Sequence, residues 1–193
     1  MTQSLCRLDD FKDNCGFGLI AQVKGKTSHK LLQNAIQALT CMTHRGGVAA
    51  DGKTGDGCGL LMQKPDSFLR IVVKESLNID LPESYAVGAV MLNTDPEQRS
   101  AAKTVIEQEL NNQGLFVIGW REVPTDTDCL GPIAIESLPA FEQIFVGPGE
   151  ITDEKQFSAR LYMGRRKAEI RLEGDDSFHI ASLGTNILSY KGL

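Results

Sequence analysis

The chain has 193 residues, of which 41% are hydrophobic and 23% charged, a composition typical of one globular domain with at most a short extension. Its net charge of −5 argues against a nucleic-acid-binding surface, which needs clustered basic residues. No apolar run approaches the roughly 20 residues of a membrane span, and the start of the chain lacks the apolar core of a secretory signal. The five cysteines form no Cys-x-x-Cys motif, which favours free thiols and a cytoplasmic location.

The first third of the chain predicts a leader, a strand and a helix. Residues 1–14 are polar and unpatterned, so they are predicted to lie outside the core. Residues 15–22 form an apolar run of strand length. Ser28 is a good helix cap, and the apolar residues after it recur every three or four positions. This spacing predicts an amphipathic helix over 30–43.

A glycine-rich stretch follows the helix. Six glycines between residues 46 and 59 are incompatible with a helix or strand interior, so we predict a tight loop that exposes its backbone. The loop leads into a strand at 60–63, which Pro65 ends.

The rest of the chain mixes strands and helices without strict β-α-β alternation. Asp95-Pro96 begins one helix, which Gly114 ends, and Asp153 caps another, which Gly174 ends. Further strands are predicted over 85–92, 115–120, 133–138, 141–146, 178–183 and 186–190. This order predicts an α+β fold with a largely antiparallel sheet.

Cys15 is the strongest catalytic candidate. A thiolate attacks carbonyl groups well, and the small neighbours Gly16 and Gly18 would let a substrate reach the sulfur. If the leader were removed, the α-amino group of Cys15, with an ordinary pKa near 7.7–8.0, could serve as the general base. Considered alone, however, a single cysteine is more often a small buried hydrophobic residue.

Two other kinds of site fit the residues less well. The glycines of 55–59 could cradle a phosphate, but the segment lacks a P-loop Lys-Ser/Thr, and Asp56 would repel an anion. His29, Cys41, His44 and Cys58 could form a metal site, but only Cys41 and His44 have the spacing of a ligand pair on one helix face. Asp51 is expected to accept local backbone hydrogen bonds, as aspartates in glycine-rich loops commonly do.

The ordered set of motifs resembles a known family. Residues 13–18 (Asp-Asn-Cys-Gly-Phe-Gly), 44–47 (His-Arg-Gly-Gly), 50–59 and 190–193 (Tyr-Lys-Gly-Leu) closely resemble the start of bacterial glutamate synthase large subunits. The resemblance covers nearly the whole chain. It implies a class II glutamine amidotransferase domain of the N-terminal-nucleophile type, in which two antiparallel sheets lie between helical layers.

The resemblance also implies a mechanism. The family removes a leader, here 1–14, so that the cysteine matching Cys15 becomes the first residue of a domain that continues to the end of the chain. Its thiolate attacks the side-chain amide of L-glutamine, and a γ-glutamyl thioester forms as ammonia leaves. Arg45 and Asp51 are expected to organise the pocket floor by hydrogen bonds, with a purely fold-supporting role as the alternative.

The same resemblance implies cofactors and partners for the complete enzyme. Ammonia would travel to an FMN domain for glutamate synthesis from 2-oxoglutarate, which is a step of nitrogen assimilation. The large subunit would also hold an iron–sulfur cluster. Electrons would come from NADPH through a small subunit with FAD and further iron–sulfur clusters. No cofactor, metal, membrane or nucleic acid is expected for the 193 residues themselves.

Two motifs of the family are absent from the sequence. The arginine that binds the glutamine carboxylate belongs to a His-x-Arg-Phe-Ser-Thr-Asn segment, and the oxyanion-hole residues belong to a His-Asn-Gly-Glu segment; neither string occurs in this chain. We therefore expect the domain to be incomplete on its carboxy-terminal side, with both segments beyond Leu193, and to be inactive alone. The alternatives are a non-catalytic remnant or partner-binding module, and a small hydrolase that uses Arg165 or Arg166 as its clamp.

Overall fold

The computed structural model describes residues 16–55 and 57–192, and within these ranges the strands form two antiparallel sheets. A short 3-10 turn, Thr43–Arg45, follows the first helix. The helices are α1 (His29–Cys41), α2 (Asp66–Leu77), α3 (Pro96–Asn111), α4 (Pro132–Glu136) and α5 (Glu154–Arg171). The strands are β1 (Cys58–Gln63), β2 (Ala86–Leu92), β3 (Phe116–Glu122), β4 (Ala140–Gly147), β5 (His179–Gly184) and β6 (Ile187–Gly192).

The larger sheet has four strands in the order β3-β4-β2-β5, and the smaller sheet pairs β1 with β6. Val87 on β2 lies opposite Phe145 on β4, and Leu60 on β1 lies opposite Tyr190 on β6. A two-residue connection between β5 and β6 carries the chain from one sheet to the other. These antiparallel sheets and their helices confirm the predicted α+β class.

Helices α3 and α5 pack against each other and against one face of the four-stranded sheet. Each begins at an aspartate that accepts backbone hydrogen bonds, Asp95 for α3 and Asp153 for α5, as the sequence predicts. Gly164 permits the close approach, because a side chain there would lie 3.0 Å from Leu110 Cδ2. The resulting core includes Leu110 and Leu161, which are almost fully buried.

A second core lies on the other face of the four-stranded sheet, between that sheet, α2 and β6. Its members are Leu69, Val73, Leu81, Tyr85, Val87, Phe145 and Leu188. The Tyr85 hydroxyl donates to Asp66 Oδ1 at 2.8 Å, and its ring packs at a tilt against Phe145. This core joins the smaller sheet to the larger one and sets their relative position.

The amino-terminal part of the described chain is attached differently, because no residue of 16–55 is buried. The predicted helix 30–43 is confirmed as α1, which contacts β1 and the 3-10 turn. The predicted strand over 15–22 is wrong for residues 16–22, which form no ladder; Phe17, for example, is 93% exposed. An apolar run becomes a strand only where a neighbouring strand takes its backbone hydrogen bonds, and none among the described residues does so. The leader 1–14 and Cys15 lie outside the described residues.

Two elements differ from the sequence-based expectation. Helix α2 was not predicted, although Leu69 and Val73 have the four-residue spacing of a buried helical stripe. The predicted strand 133–138 is wrong, because residues 132–136 form the short helix α4. Pro132 stands at the first helical position, where its fixed φ favours helix and its missing N–H costs nothing.

Candidate functional site

The structure describes the neighbour of the candidate nucleophile. Gly16, bonded to Cys15, lies against the 3-10 turn: a Cβ atom at Gly16 would be 3.4 Å from Arg45 Cγ and 3.5 Å from Met42 Sδ. The turn is held by its own backbone, since the Arg45 N–H donates to Met42 O at 2.8 Å. Gly16, the residue directly after Cys15, therefore lies beside the His44-Arg45-Gly46-Gly47 motif.

The glycine-rich loop after Arg45 folds back on itself as a small hairpin. Val48 and Gly55 form an antiparallel bridge, and the Ala49 N–H donates to Thr54 O at 2.7 Å. Gly52 stands at the tip with φ of +71°, a conformation that favours glycine. The predicted loop is thus an ordered turn, and it continues the motif that contacts Gly16.

Asp51 is the centre of the hydrogen bonds in this hairpin. Its Oδ1 accepts from the Thr54 N–H at 2.8 Å and the Lys53 N–H at 3.0 Å, and its Oδ2 accepts from the Thr54 hydroxyl at 2.5 Å. The predicted local turn at Asp51 is therefore confirmed. These donors, the Thr54 hydroxyl first, hold the pKa of Asp51 well below its usual value.

The same two side chains also bind a distant part of the chain. Asp51 Oδ2 accepts from the Ile133 N–H and Thr54 Oγ1 accepts from the Ala134 N–H, both at 3.3 Å. The Lys53 ammonium group donates to Leu130 O at 3.4 Å. We call Asp51, Thr54 and the N–H groups of residues 133 and 134 the Asp51–Thr54 cluster. It gives the first turn of α4 the acceptors that a helix start requires.

Gly131 leaves room for this cluster, and its replacement by alanine should disturb it. A methyl group at Gly131 would overlap Asp51 Oδ2 and Thr54 Oγ1 and lie 2.8 Å from the Thr54 nitrogen. We expect Gly131→Ala to lower the free energy of unfolding by about 1–3 kcal/mol, measured by chemical denaturation. Gly174→Ala is the matched control, because no atom lies within 4 Å of its added Cβ. Equal effects of the two substitutions would contradict this account.

The competing hypotheses receive little support from the geometry. Among residues 16–55 and 57–192, no three His, Cys, Asp or Glu side chains are grouped to hold a metal ion. His44 and Cys41 form the proposed metal pair, but the Nδ1 atom of His44 lies 3.1 Å from the backbone oxygen of Cys41, within hydrogen-bond distance. Strand β1 begins at Cys58, within the supposed phosphate cradle 55–59, and Asp56 lies outside the described residues.

The two arginines proposed as an alternative clamp have partners on their own helix. Arg165 donates to Glu169 Oε1 at 2.7 Å and to Ile180 O at 2.8 Å, and Arg166 donates to Glu169 Oε2. These contacts fix both guanidinium groups to α5 and, for Arg165, to β5. A substrate carboxylate would have to displace them, which disfavours the small-hydrolase hypothesis.

Comparison with known proteins addresses the family. Residues 15–193 match the family described as glutamine amidotransferases class-II, and the match begins at Cys15. This chain belongs to the class-II glutamine amidotransferases. The family has the N-terminal-nucleophile fold, with which the two antiparallel sheets and their helices agree.

Several relatives of this chain are named as glutamate synthases. The chain is 39% identical over 196 residues to the glutamate synthase [NADPH] large chain of Bacillus subtilis (strain 168), covering 99% of this chain and 13% of that one. It is 36% identical to the corresponding protein of Azospirillum brasilense, with 96% and 12% covered. For ferredoxin-dependent glutamate synthase 2 of Synechocystis sp. (strain ATCC 27184 / PCC 6803 / Kazusa), the identity is 35%, with 94% and 12% covered. The chain therefore spans about an eighth of these relatives.

Within the described ranges, no helix combines the length and the hydropathy needed to cross a bilayer.

Proposed function

We propose that this chain is the nucleophile-bearing part of a glutaminase, with Cys15 as the catalytic residue. Two observations support this proposal most strongly. The family match begins at Cys15, and the adjacent Gly16 contacts the His44-Arg45-Gly46-Gly47 motif. Because Gly16 has no side chain, the Arg45 and Met42 side chains can pack directly against the backbone next to the nucleophile. Arg45, whose side chain lies against Gly16, would place a positive charge near the thiol and favour its ionised form.

The reaction follows from the chemistry of a terminal cysteine. After removal of residues 1–14, the α-amino group of Cys15 accepts the thiol proton, and the sulfur attacks the amide carbon of glutamine. The tetrahedral intermediate collapses as the same amine returns the proton to the leaving nitrogen, which releases ammonia and leaves a γ-glutamyl thioester. Water hydrolyses the thioester to glutamate and frees the thiol.

We further propose that the chain acts as the amino-terminal domain of a longer protein. Relatives of eight times its length support this, as does the absence of the His-x-Arg-Phe-Ser-Thr-Asn and His-Asn-Gly-Glu strings. The carboxylate clamp and the oxyanion donors would come from outside the 193 residues. Since one lost oxyanion donor costs about 10²–10³ in rate, the chain alone should release almost no ammonia.

For that longer protein we propose the synthase reaction, in which the ammonia is channelled to 2-oxoglutarate and a small subunit delivers electrons in the cytoplasm. The names of the Bacillus and Azospirillum relatives specify NADPH, whereas the Synechocystis name specifies ferredoxin. We favour NADPH because the first two are the more similar. FMN, FAD and the iron–sulfur clusters would be bound outside this chain.

The residues described here do not fit an iron–sulfur cluster. Such a cluster is held by four cysteine thiolates. Cys41, Cys58 and Cys129 are free and exposed, and no group of three or more potential metal ligands occurs among the described side chains. No step of the proposed reaction passes through a cofactor on this chain.

The test uses 6-diazo-5-oxo-L-norleucine, a reactive analogue of glutamine. Its diazo carbon takes up a proton and alkylates a thiolate with loss of N₂. We expect selective labelling of Cys15, located by mass spectrometry, in the longer protein processed to begin at Cys15, because that protein supplies the clamp and the oxyanion donors. The matched control is the longer protein that retains residues 1–14, in which the Cys15 nitrogen is an amide and cannot act as a base. Labelling of Cys15 no faster than that of Cys41, Cys58 and Cys129 would contradict the proposal and support a non-catalytic remnant or binding module.

A further inference from the structure

Residues 16–55 are attached to the rest of the molecule without a buried side chain. Apolar packing therefore contributes little to the position of the loop beside Gly16. The Asp51–Thr54 cluster instead joins the loop to α4. Its two hydrogen bonds link residues that are 82 positions (Asp51 and Ile133) and 80 positions (Thr54 and Ala134) apart in sequence. Helix α4 belongs to the segment that connects β3 to β4, which are adjacent strands of the larger sheet.

A continuous series of contacts leads from this cluster to Gly16. The Thr54 backbone oxygen accepts from Ala49, and the Val48–Gly55 bridge closes the hairpin. The Gly46 N–H, at the start of the hairpin, donates to Thr43 O at 3.1 Å and so continues the 3-10 turn. The Arg45 side chain of that turn lies against Gly16.

We propose that Asp51 and Thr54 are positioning residues for the glutaminase reaction: by binding the first turn of α4, they hold Arg45 against Gly16 and so fix the surroundings of Cys15. This inference rests on the proposed function, because positioning matters only if Cys15 is the nucleophile. Neither side chain needs to touch the substrate. Both act through the backbone of 45–55.

The central variant is Thr54→Val in the 193-residue chain, since valine keeps the shape of threonine but can neither donate to Asp51 nor accept from Ala134. Asp51→Asn is a second, independent variant. Thr54→Ser is the conservative rescue, because serine retains the hydroxyl. Asp175→Asn is the matched control: Asp175 accepts the Ser177 N–H at 3.0 Å in a comparable local turn before β5.

The first measurement is amide hydrogen exchange resolved to single residues. We expect Thr54→Val and Asp51→Asn to raise exchange at least about tenfold at Arg45, Gly46 and Ala49, and Thr54→Ser and Asp175→Asn to leave it near the wild-type rate. An increase confined to Ala134 and Thr54 would overturn the proposal, because the cluster would then be only local.

The second measurement is the pH dependence of Cys15 alkylation by iodoacetamide, which requires no substrate site. Under the proposed function, the Arg45 charge lowers the pKa of the Cys15 thiol, so freeing Arg45 should move the midpoint upward by about 0.5 pH unit or more. An unchanged midpoint in Thr54→Val, or an equal shift in Thr54→Ser, would overturn the proposal. If these shifts occur but the glutamine analogue does not select Cys15 in the longer protein, the proposed function fails, whereas the coupling of the Asp51–Thr54 cluster to Arg45 and Cys15 is supported.

Discussion

Replacement of Cys15 by serine is expected to lower ammonia release from glutamine by about 10³-fold or more in the full-length protein that carries this domain. The sulfur is the group that forms the thioester, and a serine hydroxyl, with a far higher pKa than a thiol, supplies almost no anion at neutral pH. The α-amino group would remain in place, so the variant removes the nucleophile and keeps the base. Release of ammonia is measured directly in a coupled assay.

The matched control for this substitution is Cys129→Ser. Cys129 is a free, exposed cysteine whose thiol donates only a long contact to Asp126 O. Its replacement should leave the rate within about twofold of wild type, as for most surface changes. Full activity of the Cys15 variant, or a mature chain that begins at another residue, would refute the proposed mechanism.

Replacement of Phe145 by alanine is expected to remove about 3–5 kcal/mol from the free energy of unfolding. Phe145 is fully buried on β4 of the larger sheet. Its side chain belongs to the second core, with Leu69 of α2 and Leu188 of β6. Removing its ring would leave a cavity next to Tyr85, whose ring centroid lies 6.3 Å away. Because this core joins the two sheets, the loss should affect the whole domain.

Chemical denaturation measures this change, with Phe68→Ala as the matched control. Phe68 lies on the outer side of α2 and is 49% exposed, so its loss should cost less than about 1 kcal/mol. Similar losses for the two phenylalanines would show that the second core does not carry the stability assigned to it.

Local signals predicted much of the fold. Asp95 followed by Pro96 gives both a cap and a favoured first residue, and α3 begins there. The alternating and apolar runs at 85–92 and 141–146 predicted β2 and β4, which pair over seven residues. Such elements depend on residues a few positions apart, and these are visible in the sequence.

Elements that depend on distant residues were predicted poorly. Residues 133–136 are apolar enough for a strand, but the N–H groups of Ile133 and Ala134 donate to Asp51 and Thr54, and the segment forms α4. Residues 16–22 are equally strand-like, yet no described strand pairs with them. Propensity alone cannot decide either case, because the partner of a backbone group depends on the path of the whole chain.

The candidate site divides in the same way. The order of the motifs around Cys15, Arg45 and Asp51 was sufficient to predict the family and the type of chemistry, because the reactivity of a thiol and the freedom of glycine are properties of the residues themselves. Only the tertiary structure revealed that Arg45 lies against Gly16 and that Asp51 accepts a hydrogen bond from Ile133. The reason is that a contact between residues 82 positions apart is set by the packing of two sheets and their helices, which no local pattern encodes.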